Sequence, residues 1–240
     1  MESTKKIKSL TILLPSKNHE AHIVKNVEKL ISFCEKNIEK YEILVVSNGS
    51  RVEMINSLDK IDSLYFKREI LEESGKGLAV RHGIQKAMFD NILIYDSDFS
   101  YSIDLLIKFY DANKEPLAPF MYVQRELSKD VLNNTPVFRV IAGILFNFLV
   151  RVLLKIKSKD TQAGFKFVNK EKFKNVINFK SNDFSYDLEL FLLAKKLKLN
   201  SHFITVNTIN KSSHSNVGLF SDSLIMFLKL FKLRKLYKKI

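Results

Sequence analysis

Residues 92–98 read Ile-Leu-Ile-Tyr-Asp-Ser-Asp, an apolar run that ends in two carboxylates separated by one residue. Four consecutive apolar residues predict a short buried strand, and Asp96-Ser97-Asp98 then follows its carboxyl end. Two carboxylates at positions i and i+2 can share a divalent cation when a turn brings them together, and Mg²⁺ or Mn²⁺ prefers such oxygen ligands. The same spacing also fits a solvated turn with a helix cap, so the motif alone does not identify a metal site.

The strand at 92–95 continues an alternation of strands and helices over the first hundred residues. Short apolar runs predict three earlier strands, at residues 9–14, 41–46 and 63–66. Apolar residues at helical spacing predict helices at residues 20–36 and 75–89. This alternation predicts an α/β fold with a mostly parallel, doubly wound sheet flanked by helices. In such a fold, ligands bind at the carboxyl ends of the strands.

The pattern changes after residue 100. Apolar runs predict strands at residues 121–124, 165–168 and 202–206, and helical spacing predicts helices at residues 136–156, 186–197 and 221–239. The sequence contains no internal repeat, no low-complexity linker and no clear domain boundary. We therefore expect one domain over residues 1–220, followed by a basic amphipathic helix at residues 221–240.

Composition narrows the class of protein. Hydrophobic residues make up 46% of the 240 positions, which is enough for a sizeable core. Cys34 is the single cysteine, so no intrachain disulfide or cysteine zinc cluster can form, and a reducing compartment fits best. No apolar stretch approaches the roughly 20 residues that a spanning helix needs, so we expect a protein that does not cross a bilayer.

The formal net charge of +13 calls for an anionic partner. Nucleic acid, anionic lipid and phosphorylated substrates are the candidates. Nucleic acid is disfavoured, because the chain contains no recognised binding motif and aromatic residues do not alternate with basic ones on any predicted strand.

Three further polar clusters are candidates for a site. Gly75-Lys76-Gly77, with Arg81 after it, fits a backbone that approaches a phosphate beside two cations, although an ordinary glycine turn before a helix has the same pattern. Residues 160–166 form a polar turn that leads into a strand.

Asp187 and Glu189 begin a helix, where acids are favoured by the helix dipole, and at most one of them should face a site. The five histidines show no metal-ligand spacing.

In this order and spacing, the segments resemble family 2 glycosyltransferases, and most of all the dolichyl-phosphate and bacterial polyprenyl-phosphate sugar transferases. The resemblance rests on residues 73–81, on Asp96-Ser97-Asp98, on residues 160–166 and on residues 186–190. It implies a GT-A fold and an enzyme that moves a hexose from a nucleotide-diphosphate sugar to a polyprenyl phosphate, such as dolichyl or undecaprenyl phosphate. It also implies a peripheral enzyme on the cytoplasmic face of a membrane.

The resemblance implies roles for individual residues. Residues that would bind the nucleotide sugar are Pro15, Lys17, Asn18, Glu20, Asn48, Gly49, Lys76, Arg81, Asp96 and Ser97. Asp96 and Asp98 would hold Mg²⁺ or Mn²⁺, and Asp98 would take part in catalysis. Residues on the acceptor side would be Arg125, Arg139, Asp160 and Gln162. Asp187 would be the acid deep in the cleft, as a base or as an orienting group.

The chain departs from the family pattern in two loops. Members commonly have an aromatic residue in place of Lys17 and an acid in place of His19. They also commonly have Asp-Asp-Gly-Ser where this chain has Ser47-Asn48-Gly49-Ser50. Asn48 can still hydrogen-bond a base edge, but without charge. The identity of the donor base is therefore left open.

The chemistry agrees with the resemblance. A metal at Asp96 and Asp98, helped by Lys76 or Arg81, would neutralise the leaving diphosphate. An acceptor phosphate is already an anion and needs cationic positioning, for which Arg125, Arg139 and Arg151 are candidates. Direct attack inverts the anomeric carbon. Two alternative enzymes are a family 2 glycosyltransferase acting on a polysaccharide or protein, and a nucleotidyltransferase.

A lipid acceptor requires contact with a bilayer. Residues 221–239 interleave leucines and phenylalanines with lysines and one arginine. A helix of this kind lies in the membrane interface with its cations at anionic headgroups, although it could also pack on the core with a solvated basic face. We expect it to face an anionic membrane surface.

Overall fold

The computed structural model describes residues 6–113, 118–126, 137–173, 178–206 and 221–237, and only the backbone at 112–113, 138–139 and 221–226. The described strands are β1 (Ile7–Ser16), β2 (Ile38–Asn48), β3 (Phe66–Leu71), β4 (Asn91–Tyr95), β5 (Phe120–Arg125), β6 (Phe165–Asn169) and β7 (Ser201–Val206). The described helices are α1 (Ile23–Asn37), α2 (Val52–Leu58), α3 (Lys76–Lys86), α4 (Leu105–Asn113), α5 (Val137–Leu154), α6 (Tyr186–Lys196) and α7 (Ser221–Leu236).

The strands form one sheet in the order β3-β2-β1-β4-β6-β5-β7. Strands β1 to β4 are mutually parallel, β5 is parallel to β7, and β6 is antiparallel to both of its neighbours, β4 and β5. The prediction of a mostly parallel α/β sheet is therefore confirmed. Because β6 runs in reverse, its first residue, Phe165, pairs with Tyr95, the last residue of β4. The turn before β6 consequently meets the loop after β4.

Helices cover both faces of the sheet, as expected of parallel strands that are apolar on both sides. On β1, Leu10, Ile12 and Leu14 face the layer that contains α1, α2 and α4. Leu13 faces the opposite layer, which contains α3, α5, α6 and α7. The alternation follows from the two-residue period of a strand.

Some predicted boundaries were wrong. The strand expected at residues 63–66 begins only at Phe66, and its exposed, alternating side chains fit its position at the sheet edge. Pro15 does not end β1, which pairs with β2 through Ser16. Helices α2 and α4 were not predicted.

Helix α7 packs on the domain through its described part. Leu230 and Leu233 are buried in the same core as α5. Lys229 pairs with Asp183, and the Tyr237 hydroxyl donates to Glu189 Oε1 at 2.9 Å. The other side of this helix exposes Leu228, Phe231 and Leu236. Within the described residues, no helix is both long enough and apolar enough to cross a membrane.

Two glycines within helices give a direct test of how closely α3 approaches the sheet. A methyl group at Gly83 of α3 would overlap the side chain of Leu13, whereas one at Gly143 of α5 would meet nothing within 4 Å in the described structure. Alanine favours a helix over glycine by about 1 kcal/mol at both positions. Overpacking costs about 1–3 kcal/mol, and only Gly83→Ala should incur it.

Urea denaturation should therefore show Gly83→Ala less stable than Gly143→Ala by about 1–3 kcal/mol. Equal free energies of unfolding for the two variants would contradict the close packing of α3 on β1.

Candidate active site

Asp96 lies at the centre of the carboxyl edge of the sheet. Its backbone N–H donates to the carbonyl of Gly164 at 2.8 Å, because the reversed strand β6 begins beside the end of β4. A Cβ on Gly164 would overlap the Asp96 carboxylate. Glycine at 164 therefore allows this side chain its position. Asp98, two residues on, is exposed and accepts the backbone N–H of Ser100 at 3.0 Å.

Lys76, the first residue of α3, reaches both oxygens of this carboxylate. Its Nζ lies 2.6 Å from Oδ1 and 2.8 Å from Oδ2 of Asp96. Burial lowers the pKa of Lys76, but the negative charges of Asp96, Asp187 and Asp98 outweigh it, so the net shift of the pKa is upward. The lysine is thus held as a cation, in contact with Asp96 and under the negative charge of Asp187 and Asp98.

Asp187 forms a second ion pair beneath this one. Lys166 Nζ lies 2.8 Å from Asp187 Oδ1 and also donates to the carbonyl of Ala163, and each side chain of the pair is 2% exposed. Burial raises the pKa of Asp187, although Lys166 and Lys76 oppose the shift. A carboxylate this deeply enclosed fits an orienting group better than a base that touches substrate.

Glu189 does not join the ion pairs around Asp96. It accepts the backbone N–H groups of Lys180 and Ser181 at 2.9 and 2.6 Å and the hydroxyl of Tyr237. Asp187 and Glu189 thus have different partners, and the expectation that at most one of them faces the site stays a prediction.

Arg125 and Asp160 form a third pair. Arg125 Nε and Nη2 donate to Oδ2 and Oδ1 of Asp160 at 2.6 and 3.0 Å, and the backbone N–H of Arg125 donates to Oδ2 at 3.1 Å. Burial raises the pKa of Asp160, but the hydrogen bonds and the charge of Arg125 lower it by more. The net shift of the pKa is therefore downward, and the carboxyl stays ionised. Asp160 also accepts the N–H of Gln162 at 3.1 Å. The Arg125 side chain is 44% exposed, and its described hydrogen bonds to Asp160 use Nε and Nη2 but not Nη1.

The loops after β1 and β2 are joined by the side chains expected to bind a nucleotide. The Asn48 amide donates to the carbonyl of Ser16 at 2.9 Å and accepts the N–H of Gly75 at 3.0 Å. Asn18 Oδ1 accepts the N–H of Arg51, and Lys17 Nζ donates to Ser74 Oγ. Asn18 adopts φ 54° and Gly49 φ 60°, backbone conformations that asparagine and glycine tolerate best. A direct contact of these residues with a nucleotide stays a prediction.

The glycines before and within α3 have a role that the sequence did not reveal. A Cβ at Gly75 or Gly77 would overlap the backbone of residues 181–183, and Leu78 N–H donates to the carbonyl of Asn182 at 3.1 Å. Arg81 turns to the same segment, donating to Phe179 O and Asn182 Oδ1. The glycines thus allow contact between backbone segments, and the expectation that Arg81 reaches the donor stays a prediction.

Several buried polar atoms on this edge have no hydrogen-bond partner among the described residues. They belong to Ser16, Glu20, Ser47, Ser50, Thr161 and Gln162. Unsatisfied buried polar atoms are costly, and their concentration at one edge is typical of a site where a ligand completes the hydrogen bonds. The sequence singled out Glu20 and Gln162 from this set, whereas the three serines and Thr161 lie in the segments that it assigned to the site, residues 15–20, 47–50 and 160–166, without being named individually.

The structure says less about two other candidates for the acceptor side, Arg139 and Arg151. Arg139 lies in α5, and its side chain is outside the described residues. Arg151 is exposed on the same helix and contacts only the Asn147 carbonyl among the described hydrogen bonds, at 3.4 Å. Lys166 was missed, although a lone lysine within the apolar run Phe165-Lys166-Phe167-Val168 indicates a buried partner.

The carboxylates can be tested as a metal site. Asp96 and Asp98 offer hard oxygen donors on one turn, which fits Mg²⁺ or Mn²⁺. Within the part of the chain that the structure describes, no three His, Cys, Asp or Glu side chains form a metal-binding group. These two residues therefore fit a cation only when further ligands complete its coordination.

The chain is similar to known glycosyltransferases in sequence and in fold. The profile of Glycosyl transferase family 2 matches residues 11–177. Dolichyl-phosphate beta-glucosyltransferase of Drosophila melanogaster is 27% identical over 212 residues, covering 79% of this chain and 64% of that protein. The Homo sapiens protein of the same name is 26% identical over 223 residues, covering 83% and 67%. The chain thus spans about two thirds of the length of these relatives.

Solved structures share the fold at low identity. Glucosyl-3-phosphoglycerate synthase from Mycobacterium tuberculosis, in complex with Mn²⁺, UDP-Glc and phosphoglyceric acid, superposes with a TM-score of 0.66 at 15% identity, covering 95% of this chain and 80% of that one. Mannosyl-3-phosphoglycerate synthase from Rubrobacter xylanophilus superposes at 0.63 with 16% identity, covering 97% and 75%. With the GT-A fold present and the family profile matched over most of the domain, this chain belongs to glycosyl transferase family 2.

Proposed function

We propose that this glycosyltransferase moves a hexose, with glucose the best supported, from a nucleotide-diphosphate sugar to a polyprenyl phosphate. One observation carries the proposal. Asp96, the carboxylate suited to a metal-bound diphosphate, follows the end of β4, and the half-exposed Arg125 ends β5 at the same edge of the sheet. The turn before β6 bonds to both, because Asp160 accepts from Arg125 and Gly164 accepts from the Asp96 N–H. An anionic donor and an anionic acceptor would therefore meet in one cleft. The similarity to dolichyl-phosphate beta-glucosyltransferases supports a lipid phosphate as acceptor.

The donor side rests on Asp96, Asp98 and Lys76. Asp96 and Asp98 would hold a divalent metal, and this metal would neutralise charge on the diphosphate leaving group. The M. tuberculosis enzyme contains Mn²⁺ with UDP-Glc on the same fold, which supports both the metal and UDP-glucose. Lys76 lies beside Asp96 and would add a second positive charge for the diphosphate.

The acceptor side rests on Arg125. Its Nε and Nη2 are committed to Asp160, so the guanidinium is fixed while Nη1 is left to contact a phosphate. The acceptor phosphate is already an anion and needs no strong base. Its oxygen would bond to the anomeric carbon as the bond from that carbon to the diphosphate oxygen breaks, which inverts the configuration. Asp187 would keep its buried place and orient Lys166 and Lys76.

Helix α5 offers the surface that best fits a membrane interface. Its large exposed apolar side chains are spaced along one face and are Val137, Ile141, Ile144, Leu145, Phe148 and Val152. Val150 and Leu154, on the opposite face, are buried in the core. A row of exposed apolar residues on one helix marks an interaction surface.

Helix α7 extends this surface. It packs against α5 and exposes Leu228, Phe231 and Leu236 beside cations at Lys232, Arg234 and Lys235. Exposed apolar residues next to cations suit anionic headgroups. Helices α5 and α7 would together lie against an anionic membrane surface, with the larger apolar contribution from α5.

A second acceptor class is favoured by a specific observation. The solved structures that superpose on this chain include synthases of glucosyl- and mannosyl-3-phosphoglycerate, and a small phosphorylated acid would also suit Arg125. A polysaccharide or protein acceptor is less well supported, because it does not call for this cation. A nucleotidyltransferase is disfavoured by the family match.

The acceptor experiment separates these classes. Purified protein with Mn²⁺ and radiolabelled UDP-glucose is offered polyprenyl phosphate, neutral polyprenol or 3-phosphoglycerate. We expect label in the lipid extract with polyprenyl phosphate alone. Equal transfer to polyprenol, or transfer only to 3-phosphoglycerate, would overturn the proposed acceptor.

Arg125→Ala should then lower kcat/KM for polyprenyl phosphate roughly ten- to a hundredfold, since one charge-assisted contact is worth about 1.5–3 kcal/mol. Hydrolysis of the donor in the absence of acceptor should change far less. Arg68→Ala, which removes an exposed arginine at the sheet edge, is the matched control and should retain full activity. Parallel loss of both reactions would contradict a role on the acceptor side.

The membrane surface is best tested by point substitutions. Truncation at residue 229 would remove the buried Leu230 and Leu233 and so destabilise the fold. The double variant Ile144→Asp/Phe148→Asp changes two side chains that are 50% and 52% exposed. It should reduce co-sedimentation with anionic vesicles at least about tenfold, with an unchanged melting temperature.

Leu64→Asp is the control, because Leu64 is 98% exposed and lies next to β3, outside the face formed by α5 and α7. It should bind vesicles as the unmodified protein does. Equal binding by the double variant would show that α5 does not contact the membrane.

A further inference from the structure

The contact between Lys76 and Asp96 has a consequence for metal binding. Lys76 Nζ lies within 2.8 Å of both carboxylate oxygens of Asp96. A metal bound to this carboxylate needs at least one of the same two oxygens. The amino group and the metal are both cations, so they cannot occupy this position together without repulsion.

The structure holds Lys76 in place from several sides. Its side chain is 17% exposed, and its Nζ lies 5.5 Å from the ring centroid of Phe184. Residues 181–183 pack against the glycines on either side of it, and Gly164 lies against the Asp96 carboxylate, where a Cβ would overlap Oδ2. Lys76 therefore has little room to move away unless another anion attracts it.

The metal site is incomplete in the same region. In the ranges that the structure describes, Asp96 and Asp98 have no third carboxylate, histidine or cysteine arranged with them to bind a metal. A cation at this edge would face a neutralised Asp96 and one exposed carboxylate, Asp98. A nucleoside diphosphate would change both conditions, since its phosphates can accept the Lys76 amino group and supply oxygen ligands.

We infer that Lys76 and the divalent metal compete for Asp96 in the empty enzyme, and that a nucleoside diphosphate relieves the competition by taking Lys76 as its counter-ion. Metal and nucleotide then bind cooperatively. By thermodynamic linkage, each raises the affinity of the other by the same factor. The inference rests on the proposed metal site at Asp96 and Asp98, but not on which acceptor the enzyme uses.

Isothermal titration calorimetry tests the inference without measuring transfer. Mn²⁺ is titrated into the unmodified protein with and without UDP, and with uridine, which has no phosphates. UDP should tighten Mn²⁺ binding at least about tenfold, uridine should not, and Mn²⁺ should tighten UDP binding by an equal factor. Equal Mn²⁺ affinity with and without UDP would overturn the inference, without any variant being needed.

Lys76→Met then isolates the competing amino group. In the absence of UDP it should bind Mn²⁺ at least about tenfold more tightly than the unmodified protein, and the enhancement by UDP should shrink. Lys86→Met removes an exposed lysine from the last turn of the same helix and should behave as the unmodified protein. Unchanged Mn²⁺ affinity in Lys76→Met, or unchanged affinity with UDP in Asp96→Asn, would contradict the competition.

The two proposals fail separately. Mn²⁺ and UDP binding that is cooperative in the unmodified protein, and less cooperative in Lys76→Met, supports the inference even if polyprenyl phosphate proves not to be the acceptor. Transfer to polyprenyl phosphate without such cooperativity leaves the function standing and overturns the inference.

Discussion

The site depends on the reversed direction of β6 between β4 and β5. An antiparallel strand at this position begins where β4 ends, so the turn that precedes it lies against the loop of Asp96. The consequences are specific: Gly164 contacts the Asp96 carboxylate, Lys166 reaches Asp187, and Asp160 meets Arg125. A parallel strand would place the same residues at the opposite edge of the sheet.

Three acid–base pairs at this edge differ in exposure, and the difference separates their roles. Lys166 and Asp187 are 2% exposed, and removing either partner would leave an uncompensated buried charge, which is strongly destabilising. Asp160 is 7% exposed and Arg125 is 44% exposed, so this pair is anchored on one side and open on the other. Asp96 is 24% exposed and is the pair member best placed to exchange its partner for a ligand. The buried pair supports the framework, while the two partly exposed pairs are suited to anionic substrates.

The sequence predicted what depends on local pattern. Apolar runs located the strands, and the position of Asp96-Ser97-Asp98 after β4 placed the carboxylates at the correct edge. The sequence did not predict contacts that form between distant segments. Asn48 links Ser16 to Gly75, and Gly77 packs against residues 181–183, because of tertiary packing that no local spacing encodes. The late start of β3 has a similar cause, since an edge strand with exposed side chains lacks a buried run.

We propose that Asp96 and Asp98 form the metal and diphosphate site of this family 2 protein. Crystals grown with Mn²⁺ and UDP test it by anomalous scattering at the manganese absorption edge. We expect the strongest anomalous peak at about 2.0–2.6 Å from oxygens of Asp96 and Asp98 and of the UDP diphosphate, with Lys76 Nζ moved from Asp96 towards the phosphates. A manganese peak or UDP density away from this edge, or Lys76 still bonded to both Asp96 oxygens beside a bound metal, would contradict it.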